Sequence, residues 1–170
     1  MISRLKEKAI QKKYNKAIVK TIAKKHKANK VLKVAILLDN ESLENIMLAN
    51  LTSKLLFKKE NIEVLIYREF SKNQEVMPKC FTTKDFEFNG SLKSDNLKNF
   101  VKKEYDLLIN YVKTPNLYTN MITLWSKAAL KAGFAEIDDR LYDIVVSDEG
   151  LNEAVLNQEL KKYLTILNKI

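Results

Sequence analysis

One strand pattern limits the fold of this chain more than any other feature. Residues 31–38 are apolar at every position except Lys33, so their side chains do not alternate between a polar face and an apolar one. Such a strand is usually covered on both faces, which is typical of parallel sheets that lie between layers of helices. We therefore expect residues 31–38 to form a buried strand of an α/β domain.

The residues after this strand continue the alternation of helix and strand. Residues 42–58 carry apolar side chains at helical spacing and residues 62–70 form a second apolar run, which together indicate a βαβ unit. Further predicted elements are an edge strand near 86–88, a helix around 97–101, a strand at 106–112, a helix capped by Asn116 that runs to about 132, strands at 134–137 and 141–146, and a helix at 151–168. We predict the α/β class, as a single three-layer domain over residues 31–170 with a mostly parallel sheet of four or five strands, of the flavodoxin or Rossmann type.

The positive charge of the chain is concentrated at its beginning. Residues 1–33 contain 12 basic side chains and one acidic side chain, for a net charge of 12 − 1 = +11, whereas residues 34–170 contain 18 basic and 20 acidic ones, for 18 − 20 = −2. No Gly or Pro interrupts residues 3–28, and Ser3 is a suitable N-cap, so this segment is predicted to be helical. We therefore divide the chain into a basic N-terminal helix, residues 1–30, and a near-neutral domain after it.

The predicted N-terminal helix has two different sides. An apolar ladder with four-residue spacing consists of Ile10, Tyr14, Ile18 and Ile22. The ladder is expected to face a core or a partner, and the lysines of the opposite arc are expected to face an anion. The side chains predicted to bind a polyanion are Lys13, Lys16, Lys20, Lys24 and Lys27, with Arg4, Lys8 and Lys12 as secondary contacts.

A basic helix with a single acid, Glu7, indicates a polyanionic partner. Each lysine that contacts a phosphate releases a counterion, and five such contacts would give a salt dependence with a slope of roughly −4 to −5. We predict a non-enzymatic protein that binds RNA or the ribosome through this helix. An acidic protein partner and an anionic membrane surface are the alternatives, although interfacial helices usually add Trp or Phe to their apolar side. The plainest alternative is a solvated face that only packs on its own domain.

Residues with catalytic potential are scarce. His26 is the only histidine and Cys80 is the only cysteine, so the chain can build neither a zinc site nor an internal disulfide. The turn after the first strand begins with Asp39 and contains no glycine, unlike a phosphate-binding loop. We therefore expect no cofactor, no metal and no enzymatic activity.

A small enzyme with a carboxylate site is the third hypothesis. In open α/β sheets, ligands bind beyond the carboxyl ends of the strands, where Asp39 and Asn110 are expected to lie. We name Asp39 and Asn110 as a candidate ligand pocket, at which a cluster of carboxylates could hold Mg²⁺. The competing interpretation is that polar residues at strand ends serve as helix caps and turns.

Composition also suggests where the protein acts. The chain contains no apolar run long enough for a spanning helix, and its beginning is charged rather than apolar, so we expect neither a transmembrane segment nor a signal peptide. A single cysteine suits a reducing compartment. We expect a cytoplasmic protein.

Several segments give the sequence a family resemblance. They are Asp85-Phe86 with Gly90, the segment YDLLINY from Tyr105, Ser126-Lys127-Ala128 with Lys131-Ala132-Gly133-Phe134, and the segment KKYLTILNK from Lys161. In these segments and in its lysine-rich start, the chain resembles a family of uncharacterised small bacterial α/β proteins, over most of its length. That family has no assigned activity, so the resemblance implies no catalytic residues. A shorter stretch, DLLINYV followed by SKAALKAGF, is similar to the N-terminal half of heptosyltransferase-type glycosyltransferases. We expect no second nucleotide-binding domain like theirs, and we do not carry over their activity.

Overall fold

A six-stranded sheet forms the middle layer of the part of the chain that the structure describes. The structure is a computed structural model, and it describes residues 2–20 and 30–170. The strands are β1 (Val34–Leu38), β2 (Ile62–Tyr67), β3 (Cys80–Phe81), β4 (Leu107–Asn110), β5 (Leu130–Phe134) and β6 (Ile144–Val146). They lie in the order β3-β2-β1-β4-β5-β6, and every neighbouring pair is parallel. The predicted α/β class with a mostly parallel sheet is confirmed, with six strands instead of four or five.

Helices cover both faces of this sheet. Within the described residues they are α1 (Ile2–Ile18), α2 (Glu44–Lys54), α3 (Asp95–Lys102), α4 (Leu117–Trp125), α5 (Ala135–Asp138) and α6 (Glu153–Ile166). The cap predicted for α4 is confirmed, because Oδ1 of Asn116 accepts hydrogen bonds from the N–H groups of Tyr118 (2.9 Å) and Thr119 (3.1 Å). In residues 2–20 and 30–170, no helix combines the length and hydrophobicity that a membrane crossing needs.

The burial of β1 explains its uninterrupted apolar sequence. Val34, Ile36 and Leu38 belong to one core, which also contains side chains of α2 and α6. Ala35 and Leu37 point to the other face, into a second core that contains side chains of α1, α3 and α4. All five residues are fully buried, so neither face of the strand needs a polar residue.

The boundary between α4 and β5 differs from the predicted one. We expected α4 to continue to about residue 132 and a strand to follow at 134–137, but α4 ends at Trp125 and β5 occupies Leu130–Phe134. The predicted strand is instead α5, Ala135–Asp138. Both expectations were wrong because β5 pairs with β4 along the whole of β4, and this pairing outweighs the helical propensity of its Ala and Lys residues.

The outer edge of the sheet also differs from the prediction. The edge strand is β3, which pairs with the end of β2, whereas the segment predicted near 86–88 contributes only an isolated bridge between Phe86 and Leu92. Directly after β3, Thr82 and Asp85 form a capping box. The capped turn at Thr83–Asp85 interrupts the extended backbone directly after β3, so the strand pattern at 86–88 does not continue that strand.

α1 is shorter than the helix predicted over residues 3–28. It ends at Ile18, and Val19 and Lys20 form a turn, so the prediction was wrong at those two positions. Ile18 is the last residue of the helix that is buried, and Val19 is 83 % exposed, so packing no longer favours the helical conformation there. Residues 21–29 lie outside the described part of the chain.

Candidate anion-binding surface

The inner side of α1 is part of the second core. Ile10, Tyr14 and Ile18 are 0 %, 3 % and 5 % exposed, which confirms three members of the predicted apolar ladder, and the helix packs against α4. Gly90 allows this close approach. Its φ of +79° favours glycine, and a Cβ at this position would come within 3.1 Å of Cγ1 of Ile10. α1 is therefore a layer of the domain rather than a projecting arm.

Two polar side chains of α1 are also fixed to the domain. Nζ of Lys6 donates hydrogen bonds to the carbonyl oxygens of Thr83 and Phe86, each over 2.6 Å. The hydroxyl of Tyr14 donates to Oδ2 of Asp138, also over 2.6 Å. These bonds hold α1 near its beginning and near its end, so the direction of its outer side is fixed.

Charge and burial at these two points shift the pKa values of the groups involved. The guanidinium of Arg140 donates to Oδ1 (2.8 Å) and Oδ2 (2.7 Å) of Asp138, and this pairing, with the hydrogen bond from Tyr14, lowers the pKa of Asp138. Burial and the bond to Asp138 raise the pKa of Tyr14. Burial, together with the charge of Lys84, lowers the pKa of Lys6. Asp138 is therefore ionised and Tyr14 protonated at neutral pH, as their hydrogen bond requires.

The outer side of α1 carries a row of cations. Arg4, Lys8, Lys12 and Lys16, which we call the lysine row, follow one another at four-residue intervals, or about 6 Å of rise along the helix axis. All four are exposed. None of them forms an ion pair with another residue in the described ranges. The row is therefore a fixed line of positive charge without neutralising carboxylates in those ranges.

The lysines predicted as primary contacts have different surroundings. Nζ of Lys13 is 5.0 Å from the ring centre of Trp125, so Lys13 makes a cation–π contact at the flank of the core. Lys20 is exposed in the turn after α1. Lys24 and Lys27 lie outside the described residues, and their predicted role stays a prediction.

The middle of the outer side is formed by Lys12 and Lys16. We had predicted Lys16 as a primary contact and Lys12 as a secondary one. Lys12 and Lys16 are each two positions from the buried Tyr14, and at about 100° per residue they lie about 160° away from it. Lys13 is one position away and thus lies at the side. The spacing from Tyr14 was the signal that could have placed Lys8 and Lys12 ahead of Lys13.

Asp39 lies at the predicted edge of the sheet, at the carboxyl end of β1. There β1 and β4 are neighbours and the strand order reverses, which is the usual place for a ligand in this fold class. Oδ2 of Asp39 accepts hydrogen bonds from the N–H groups of Lys113 (3.0 Å) and Thr114 (3.2 Å). The carboxylate thus ties the end of β1 to the loop after β4.

Asn110, at the end of β4, is used inside the domain. Its side chain is 1 % exposed. Nδ2 donates to Oγ1 of Thr123 (3.1 Å), and Oδ1 accepts from the N–H of Val112 (2.9 Å). Asn110 and Asp39 therefore both have structural partners, and their role as a ligand pocket stays a prediction.

Other chemically capable residues do not come together in the described ranges. No three His, Cys, Asp or Glu side chains there are placed to hold a metal ion. Cys80 is partly buried, and this burial raises the pKa of its thiol, so the thiolate that a nucleophile requires is disfavoured at neutral pH. His26 lies outside the described residues.

A match to a known family includes most of α1 as well as the sheet. The model of a family of unknown function, DUF6913, matches residues 6–167. The chain belongs to this family. No curated protein and no solved structure gives a significant match. The resemblance to an uncharacterised family is confirmed by the DUF6913 match, whereas the likeness to heptosyltransferases finds no support in these comparisons.

Proposed function

We propose that this DUF6913 protein is a non-enzymatic binding protein whose lysine row contacts a polyanion, and that the polyanion is RNA or the ribosome in the cytoplasm. One observation carries the proposal. The inner side of α1 is fixed to the domain, while the four cations of its outer side face solvent without an ion pair in the described ranges. A row held in place by a folded domain loses little conformational freedom when it binds.

The lysine row is unfavourable for the protein without a partner. Like charges four residues apart destabilise a helix by about 0.2–0.5 kcal/mol per pair, and the row contains three such pairs between Arg4 and Lys16. Glu7 is the only acid in α1. Phosphates placed along the row replace this repulsion with attraction and release counterions, which supports a nucleic acid over a face that is merely solvated.

α1 exposes no aromatic ring, which favours recognition of the nucleic-acid backbone over stacking on bases. Single-stranded RNA is usually bound by exposed aromatic rings on which bases stack. Tyr14 is the only aromatic residue of α1, and it is buried against the domain. We therefore assign the lysine row to the phosphates of duplex or structured RNA, with Lys8, Lys12 and Lys16 as the central contacts and Lys13 and Lys20 beside them.

Charge reversal of the central lysines tests the proposal. The variant K8E/K12E/K16E keeps two of the three like-charge pairs and makes the pair with Arg4 attractive, so repulsion within the helix does not increase. We expect it to bind a fluorescently labelled RNA hairpin at least about tenfold more weakly at low salt. The slope of log K against log salt should become shallower by about 2.7, from three contacts at about 0.9 each.

The matched control reverses three exposed lysines outside α1, in the variant K58E/K59E/K72E. It has the same net charge, so its RNA affinity should stay within about threefold of the wild type if position rather than total charge decides binding. Equal RNA affinity of wild type and K8E/K12E/K16E at moderate salt would contradict the proposal. If the row variant instead loses binding to vesicles with phosphatidylglycerol or to an acidic protein while neither form binds RNA, the partner is one of the two alternatives.

A further inference from the structure

A second surface lies at the amino-terminal edge of the sheet, away from the lysine row. There the ends of α2 and α6 leave a groove of about 440 Å³ in front of β1. Val31, Leu55 and Phe57 form its floor and are nearly completely buried, whereas Leu32 and Leu56 stand at its sides and are 64 % and 80 % exposed. The groove is therefore an apolar recess between two protruding leucines.

Leu56 has an unfavourable backbone conformation. It follows the end of α2 with a φ of +62°, in the left-handed region that glycine or asparagine occupies at much lower cost in free energy. An exposed leucine gains little from burial in return. Local strain of this kind often marks a functional position, and here it holds an apolar side chain at the side of a groove.

The rim of the groove is cationic. Lys54 and Lys161 line it, are exposed, and form no ion pair with another described residue. Nζ of Lys30 lies at the same groove, where it donates to Oδ1 of Asn168 (3.1 Å) and to the backbone oxygen of Ile170 (3.2 Å). No acidic residue of the described ranges lines the recess, so its charge is complementary to an anionic ligand with an apolar part.

We propose that this groove docks an acidic amphipathic helix of a protein partner. An apolar side chain of that helix enters the recess between Leu32 and Leu56, and carboxylates on either side of it pair with Lys54 and Lys161. The recessed floor favours a helix over a membrane, because a lipid surface reaches protruding leucines but does not fill a recess. It also disfavours nucleic acid, since Phe57, the only aromatic residue among the described residues of the lining, is 6 % exposed and cannot stack on a base.

The test uses the full chain and a library of synthetic helical peptides that carry two leucines four residues apart, flanked by glutamates. We expect library members to bind and to shift the NMR methyl signals of Leu32 and Leu56. The substitution Leu56→Asn should weaken this binding at least about tenfold. Because asparagine tolerates a positive φ, its melting temperature should match or exceed that of the wild type, which separates lost binding from lost folding.

Charge is tested by the variant K54E/K161E, which should also bind the peptides at least about tenfold more weakly. The matched control K72E/K102E changes the net charge equally on exposed lysines that do not line the groove, and it should bind normally. The proposal is overturned if no library member binds, or if Leu56→Asn leaves the affinity unchanged. It is equally overturned if the protein binds phosphatidylcholine–phosphatidylglycerol vesicles through Leu56 but none of the peptides. RNA binding by the lysine row does not enter this experiment, so the two proposals fail independently.

Discussion

Tyr14 and Asp138 connect α1 to the segment before β6 through one hydrogen bond with a charged acceptor. Arg140 pairs with the same carboxylate, which is largely buried. Asp138, at the end of α5, thus binds one neighbour in sequence, Arg140, and one distant residue, Tyr14. Because Tyr14 is part of the apolar ladder, this bond fixes the rotation of α1 about its own axis. Asp138 therefore contributes to the orientation of the lysine row, together with the hydrogen bonds of Lys6 and the burial of the apolar ladder.

The lowered pKa of Asp138 has a consequence for stability against pH. The unfolded chain takes up the proton near pH ~4, and the folded chain only at lower pH, so the stabilising effect of the ionised carboxylate is present above that value and is lost as the pH falls through the folded pKa. We expect Asp138→Asn to reduce the free energy of unfolding at pH 7 and to make it fall less steeply below about pH 4. Urea denaturation at a series of pH values measures this.

Asp139 provides the control for this prediction, because it is the adjacent carboxylate and is exposed. Asp139→Asn should leave both the stability at pH 7 and its fall in acid close to those of the wild type. Parallel curves for Asp138→Asn and wild type would show that Asp138 contributes nothing specific.

At the scale of elements, α1 packs into the core on one side and exposes a row of cations on the other. Ile10→Ala should lower the free energy of unfolding by about 2–5 kcal/mol, since it removes a fully buried side chain from a packed core. Leu5→Ala is the matched control. Leu5 is 51 % exposed, so its loss should cost less than about 0.5 kcal/mol. Equal losses in urea denaturation would mean that α1 does not pack on the domain in solution.

The comparison of elements shows what a single sequence can predict. The unbroken apolar run of β1 and the four-residue spacing of the ladder on α1 were sufficient, because both patterns come from burial and burial selects apolar residues. Leu130–Phe134 was missed because its Ala and Lys content favours a helix, and pairing with β4 and β6 makes it a strand. For the same reason the boundaries of elements were less well predicted than their existence.

The candidate site was predicted in outline and not in detail. The concentration of charge indicated the segment, and the ladder indicated its outer side. The contacts of Lys6 with two carbonyl groups and of Lys13 with Trp125 depend on residues far away in sequence, so no local pattern contains them. The groove beside Leu56 was missed for the same reason, because its lining comes from three separate parts of the chain.

At the scale of the whole molecule, different helices cover the two cores of the sheet. One contains side chains of α2 and α6, while the other includes side chains of α1 and of two further helices. The strand order could not be predicted, because the composition of a strand does not specify its neighbours. The predicted division into a helix of residues 1–30 and a separate domain implies that the domain is stable without the helix, and this can be measured.

We expect residues 31–170 to be less stable alone than in the full chain, because removal of α1 exposes the apolar surface of α4. The fragment should melt at least about 10 °C below the full chain and should bind a hydrophobic dye such as ANS. The full-length variant K8E/K12E/K16E serves as control and should melt within a few degrees of the wild type. A fragment with an unchanged melting temperature and no dye binding would show that α1 is dispensable for folding.

The packing of α1 on the domain limits how this basic segment can change in evolution. A basic tail that hangs from a finished domain can be gained, lost or exchanged without disturbing the rest. Here the apolar side and the lysine row occupy opposite sides of one helix, so loss of the helix that carries the row would also open the core. The row's carrier and the cover of the core are the same segment of chain.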